Sequence, residues 1–409
     1  MLPPFSGAAI SQSAVVNNQV QLGDVFSTQT LNVDSVSDTT SVVTTAMGNG
    51  ATAAVDSGSL SVQSTQTMSG ATGAQGSLNV ATYAGGQVTM IATGTANTFE
   101  ADSLGGGGLT GTITQVANGA TVTSENDFTG SAASGDPAVQ IAAVSASSQA
   151  IANAATINAE GGTAVVSVNQ SSASTVDGES GSAPPTGGAT VQYSPGEISF
   201  TSIAINNNVT ATGTSGASQE LTITQASTGA NTTAGQFLDA GNVQTAVGEA
   251  VATSNNISAS NASGDLNVTD NQTNATYTQA DSVVSAYEYG TGQSTAQGVG
   301  NAMMAANVGP STEVSNTQNN SAGIQVMSSF TGGNTDGASY DSVSSASAIG
   351  NSATGFACTD CGGVLTVSNS QTNSGGVGAT STVTLTGSNR STSSVATAVG
   401  NNATFYVSK

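Results

Sequence analysis

Apolar residues along this chain recur as short alternating doublets, apolar–polar–apolar, each followed within a few positions by Gln. The phrase reads Leu60-Ser61-Val62 to Gln66, Val166-Ser167-Val168 to Gln170 and Leu221-Thr222-Ile223 to Gln225. It returns as Leu266-Asn267-Val268 to Gln272 and Leu365-Thr366-Val367 to Gln371. Alternation with period two, rich in β-branched residues, predicts short strands. Val383-Thr384-Leu385-Thr386 follows the same pattern, and Gly105–Gly108, Gly332-Gly333 and Gly375-Gly376 predict turns between strands. The Ala-rich stretch from Ile141 to Ala155 is a candidate helix, although it lacks a charged face.

A second phrase runs out of phase with the first. Gly-Asn-x-Ala-Thr stands at Gly48-Asn49, Gly350-Asn351 and Gly400-Asn401, and Gly300-Asn301 falls 50 residues before Gly350. Weaker echoes lie at Ala152-Asn153, Ile205-Asn206 and Val247-Gly248. Two interleaved phrases with one period describe an array of similar units. A unit whose apolar face is two or three residues wide cannot form a core alone and must stack on its neighbours. The expected fold is therefore all-β: a β-solenoid, parallel β-helix-like, built from degenerate ~50-residue repeats. Asn after Gly tolerates left-handed backbone angles, and its amide can pair with the Asn above and below. Gly48, Asn49, Gly300, Asn301, Gly350, Asn351, Gly400 and Asn401 are thus expected to form a repeated turn with a side-chain ladder. If each unit supplies two or three coils, the chain holds about 16–20 coils in a rod on the order of 80–100 Å long. The expected organisation is an N-terminal strand and capping segment (1–40), repeats (41–180), an insertion or soft boundary containing Pro184-Pro185 and Pro195-Gly196 (181–197), and further repeats (198–409).

Charge changes the picture next. Of 409 residues only 6% are charged; two are basic, Arg390 and Lys409, 24 are acidic and none is His, for a net charge of -22. A chain so poor in Lys and Arg cannot displace the counterions of a polyanion, which excludes nucleic acid as a partner. The acidic excess keeps an otherwise uncharged surface in solution. Disorder is disfavoured by an apolar content of 37% and only 7 Pro. The scarcity of Lys, Trp and His beside long Ser/Thr/Asn stretches suits a protein exported to a bacterial surface. Met1–Ile10 has neither a basic n-region nor an apolar core, so the expectation is a mature form whose leader has been removed.

Candidate chemistry is sparse. Cys358-Thr359-Asp360-Cys361 offers too few ligands for zinc and lacks the βαβ context of a redox centre. Cys358 and Cys361 are a candidate structural disulfide of an oxidising compartment, with free thiols as the alternative. Glu100/Asp102, Glu125/Asp127 and Asp177/Glu179 each lie two apart, which on a strand places both carboxylates on one face. Such pairs could serve a polysaccharide-processing enzyme, but the Arg, Lys and His that usually assist are almost missing. Asp336 and Asp341 are weak calcium candidates without the repeat that such rolls need. Tyr287-Glu288-Tyr289 could present two rings on one face. The expectation is no catalytic, cofactor or metal site. Phe405, Tyr406 and Val407 form a plain strand that could add to a partner's sheet edge.

Three resemblances accompany this reading. Ser347–Ala353 and Ala398–Ala403 resemble head repeats of trimeric autotransporter adhesins, without a heptad stalk. Val16-Asn17-Asn18-Gln19-Val20 resembles curlin-type amyloid subunits, whose repeats are shorter and more regular. The run from Gln19 to Val33, followed by the degenerate Ala-x-Gly-Asn array, is similar to the holdfast anchor protein D family of stalked alphaproteobacteria. That resemblance implies a secreted, non-enzymatic protein at the outer-membrane surface of the cell pole. It implies work with companion holdfast anchor proteins to tether adhesive polysaccharide, with self-assembly as a further possibility.

Overall fold

In the computed structural model the described residues are 12–119, 121–130, 140–181, 191–333, 338–358 and 363–408. They build a three-sided β-solenoid of eight coils. Coil 1 holds β1 (Gln12–Gln21), β2 (Val25–Val36) and β3 (Thr40–Val55). Coil 2 holds β4 (Ser59–Met68) and the long β5 (Thr72–Ser103). Coil 3 holds β6 (Leu109–Ala117), β7 (Thr121–Gly130) and β8 (Gln140–Glu160). Coil 4 holds β9 (Thr163–Ser172), β10 (Thr175–Gly181) and β11 (Val191–Thr214). Coil 5 is β12 (Ser218–Ser227) with β13 (Asn231–Asn261), and coil 6 is β14 (Asp265–Asn274) with β15 (Tyr277–Asn307). Coil 7 holds β16 (Ser311–Asn320), β17 (Ile324–Gly332) and β18 (Ala338–Cys358). Coil 8 holds β19 (Val364–Asn373), β20 (Val377–Leu385) and β21 (Ser388–Ser408).

The first face is one parallel sheet in the order β1-β4-β6-β9-β12-β14-β16-β19. β5, β13 and β15 bend and serve the second and third faces in turn, so the first half of β5 pairs β2 and β7 while its second half pairs β3 and β8. Among the described residues every regular element is a strand. The Ala-rich stretch expected as a helix is part of β8, where Ala146, Ala150 and Ala152 are buried in a narrow interior that larger side chains would overfill.

One coil consumes a whole repeat. Equivalent residues in successive coils are 46 to 56 positions apart, so each ~50-residue unit makes one turn around three faces rather than two or three small turns. Eight coils at the ~4.8 Å strand spacing give about 34 Å from first to last, well short of the expected rod. The doublets followed by Gln belong to the first face alone. The other faces bury doublets without that Gln, such as Leu78 with Val80 and Ile198 with Phe200, among inward Ala, Ser and Gly.

Leu60, Leu109, Val166, Leu221 and Leu266 from the first face meet Phe99, Ile157, Val209, Ile257 and Met303 from the third in one buried cluster. A second cluster, between the second and third faces, contains Phe128 against Phe200 (6.3 Å between ring centroids) and Tyr289 edge-on to Phe330 (4.9 Å). Where third face meets first, the chain turns on Gly with positive φ, as at Gly58 (95°), Gly216 (85°) and Gly264 (93°). A Cβ on Gly264 would lie 2.2 Å from the carbonyl oxygen of Ala217 in the coil below. Gly264→Ala combines that clash with left-handed strain and is expected to cost about 1–3 kcal/mol in denaturant unfolding. A loss below about 0.5 kcal/mol would show that this corner is not tightly stacked.

Candidate functional site

Two side-chain ladders run the full height of the interior. Asn49, Asn97, Asn153, Asn207, Asn255, Asn301, Asn351 and Asn401 form the first: each Nδ2 donates to the Oδ1 of the next at 2.7 to 2.8 Å. Gln19, Gln66, Gln115, Gln170, Gln225, Gln272, Gln318 and Gln371 form the second, each Nε2 donating to the Oε1 of the coil before it at 2.7 to 2.9 Å. The ladders also clasp the first face to the third. Asn49 Nδ2 donates to the carbonyl of Thr67, one residue past Gln66. Gln66 Nε2 in turn donates to that of Thr98, one residue past Asn97. The same exchange recurs up the rod, ending with Asn351 to Thr372 and Gln371 to Asn402. A backbone carbonyl only accepts, so these bonds fix which end of each amide is nitrogen. The two chains of amides consequently run in opposite directions. Both amide donors and the oxygen are used in every middle coil, which removes the cost of burying them.

The Gly-Asn phrase therefore lies inside strands, with Asn49 in β3 and Asn301 in β15, and not at a turn. Ser215 is the only non-Gly residue of positive φ among those described. Reading glycine as essential hid Asn97, Asn207 and Asn255, which follow Ala96, Asn206 and Ser254. Asn206, one of the echoes, instead accepts from Ser172 and donates to Thr232. The Gln ladder is not foreseen in the sequence: Gln66, Gln170, Gln225, Gln272 and Gln371 end strand phrases only, and Gln19, Gln115 and Gln318 stand in none of those phrases, although the ~50-residue period marks their positions.

One carboxylate breaks the pattern of the interior. Asp270 is 2% exposed, in register between Ile223 and Asn316. Both its oxygens and Asn316 Oδ1 lack a hydrogen-bond partner, while Asn316 Nδ2 donates to Asn369 at 2.6 Å. Burial holds the Asp270 carboxyl well above the usual range.

On the outer surface, parallel pairing gathers two of the expected carboxylate pairs. Glu125 of β7 stands beside Glu179 of β10, with Asp127 and Asp177 two residues along their strands. All four are raised chiefly by burial, Glu125 also by Asp127, and Asp177 and Glu179 by Glu125. Gln75 Nε2 donates to Glu125 at 3.0 Å. The pair Glu100/Asp102 sits apart on β5, where Asp102 accepts from Asn158 at 2.8 Å. Among the described residues no group of three or more His, Cys, Asp or Glu is arranged to hold a metal.

Asp336 and Cys361 lie outside the described residues. Asp341 is engaged by Arg390, which also lies 5.3 Å from the centroid of the Tyr340 ring. Tyr287 and Tyr289 do not share a face: Tyr287 is exposed, whereas Tyr289 is buried and its hydroxyl bonds Ser342. The corner between second and third faces carries two hollows. One of about 270 Å³ is lined by Gln87, Ser145, Glu197 and Ser199, and another of about 240 Å³ by Gln244, Thr291, Tyr340 and Arg390. Phe405, Tyr406 and Val407 lie in β21, which among the described residues pairs only with β18 on its inner side.

A family model for holdfast attachment protein D matches residues 34–323, more than half of the chain. The chain belongs to the holdfast attachment protein D family. No curated protein and no solved structure matches it. Membership in the holdfast attachment family implies an attachment role at the cell envelope or surface and involvement with other holdfast anchor components.

Proposed function

We propose that this holdfast attachment protein is a non-enzymatic scaffold, secreted and associated with the outer membrane at the cell pole. There it anchors adhesive polysaccharide together with companion anchor proteins. The observation that carries this reading is the pair of uninterrupted amide ladders. The interior is committed to holding eight coils in fixed register, which gives a stiff rod with chemistry confined to its surface and edges. The corner hollows supply amide, hydroxyl, Glu197 and Arg390 groups along one line for hydrogen bonding to sugar. Residues 1–40 serve in this reading as an N-terminal strand and cap, and 181–197 as a soft boundary between the repeats of 41–180 and 198–409. Cys358 and Cys361 pin the segment after β18, and Phe405–Val407 belong to the assembly edge.

The test is a deletion strain. It should still make adhesive polysaccharide but shed it into the medium, with surface adhesion reduced at least tenfold and restored by the intact gene. Polysaccharide retained on the deleted cells would refute the anchor role. A second reading, a polysaccharide-processing enzyme, draws on the clustered carboxylates Glu125, Asp127, Asp177 and Glu179, two of which sit at adjacent rungs. Release of reducing ends or unsaturated sugars by the purified protein, lost in Glu125→Gln, would favour it over the scaffold.

A further inference from the structure

We infer that the two ends of the solenoid bind one another, so that the C-terminal coil of one copy receives the N-terminal coil of a second copy head to tail. The interface comprises β19, β20 and β21 on one side and β1, β2 and β3 on the other. This deepens the scaffold reading by naming the partner of the assembly edge.

Three independent features of the end coils agree. First, the ladders terminate with complementary groups. At coil 8 Asn401 accepts from Asn351 but its Nδ2 has no partner among the described residues, and Gln371 donates to Gln318 but its Oε1 has none among them. At coil 1 the reverse holds among the described residues: Asn49 Oδ1 lacks a donor, and Gln19 Nε2 uses one proton on the Gly50 carbonyl and keeps the other. The opposed directions of the ladders make one end a donor where the other is an acceptor, at both amides. In a stacked pair Asn401 would donate to Asn49 of the second copy, and that copy's Gln19 would donate to Gln371. Val20 stands in register with Thr67, so its carbonyl would take the second Asn401 proton just as Thr67 takes one from Asn49.

Second, the strands fit. β1 and β19 are each ten residues long and carry their ladder Gln at the eighth position. Their outer backbone groups are unpaired among the described residues, an edge that other strands can extend. Third, incomplete burial of core side chains is confined to these coils. The half-buried residues packed on the main core clusters are Val15, Leu31 and Val33 of coil 1 and Val367, Leu385 and Phe405 of coil 8, among others of the same two coils. Their counterparts in the middle coils are buried. A like coil is the shape that would cover them.

Such a contact joins unlike surfaces and does not close, so copies add into filaments. The purified full chain should lengthen from single units to rods as concentration rises from about 1 to 100 µM, seen by light scattering and electron microscopy. Val15→Lys blocks only the N-terminal end and Val367→Lys only the C-terminal end. Each alone should be monomeric at 100 µM, and a 1:1 mixture should give a dimer that grows no further. Dimers of either variant alone would mean that like ends pair, and would overturn the inference. So would wild-type chain that remains a single unit throughout, an outcome that needs no variant to fold. Circular dichroism and thermal unfolding check whether both variants keep the solenoid. A monomeric chain whose deletion still sheds polysaccharide would overturn the stacking and leave the anchor reading standing.

Discussion

Asp270→Asn is expected to be more stable than the unaltered protein at pH 8 by about 1–3 kcal/mol, the cost of leaving a buried polar group without a partner. In the folded chain Asp270 keeps its proton to higher pH than in the unfolded chain, where a carboxyl titrates near 3.9. As a neutral acid its O–H can donate to Asn316 Oδ1, which gives two of the three orphaned oxygens a partner and extends the Asn316–Asn369 pair. The folded state then binds more protons than the unfolded one. Stability is full below about pH 3.9 and declines as pH rises through the folded value. Asparagine offers Nδ2–H in place of O–H and does not titrate. Among the described residues no other charged side chain shares this interior. Glu220 of β12, Asp239 and Glu249 of β13, Asp265, Asp281 and Glu288 around it, and Glu313 of β16 all occupy outward or partly exposed positions. Denaturant unfolding at pH 4 and pH 8 measures the effect: the two proteins should converge at pH 4 and separate at pH 8. The infrared band of a protonated carboxyl that persists above the ordinary carboxylate range should weaken in Asp270→Asn. Equal stabilities at both values would show that Asp270 is solvated or otherwise paired.

Asn301→Leu should be the most damaging of the simple ladder substitutions, with a loss of about 3–5 kcal/mol, the range of disrupted buried networks. It strips the Asn319 carbonyl and Asn351 Oδ1 of a donor and leaves one Asn255 amide proton without an acceptor. Each orphan costs about 1–3 kcal/mol. Because coils of a solenoid interact mainly with their neighbours, the damage should stay local. Hydrogen exchange should accelerate in β15, β16 and β18 well before the outer coils respond. Asn256→Ala is the control, since Asn256 pairs with Asn208 on a partly exposed position. Its cost should remain below about 1 kcal/mol. Similar losses for the two substitutions would show that burial within the ladder is not what makes it count.

The fold class was legible because stacking forces repetition. The strand phrases ending in Gln66, Gln170, Gln225, Gln272 and Gln371 all fall on the first face and mark rungs of one ladder. The size of the coil was hidden for the same reason. The second and third faces bury many Ala, Ser and Gly between scattered larger residues such as Leu78, Val80 and Phe128, and that alternation is faint in a chain already dominated by small residues. Asn97, Asn207 and Asn255 escaped because the residue before a ladder Asn need only be small. A Cβ at Gly300 would lie 2.6 Å from the Gly350 carbonyl, yet Ala96 and Ser254 occupy equivalent positions in other coils. Expecting left-handed Asn was a mistake of the same kind, because a buried amide ladder needs an extended backbone to keep its rungs in line. Of the surface chemistry, the meeting of Glu125 with Glu179 depends on inter-coil register, which no local pattern reveals.

The parallel pairing of the faces also sets how the molecule bears force. Strands lie across the rod and their hydrogen bonds lie along it, so tension between the two ends falls on all three faces of a junction together. A junction under even load must part in one event, with its backbone bonds and both ladder rungs stretched at once. The same bonds pulled from a single corner would open one after another and yield to a far weaker drag. Where tension enters, at a whole end coil or at one exposed strand, therefore decides whether the rod holds like a rivet or peels like tape.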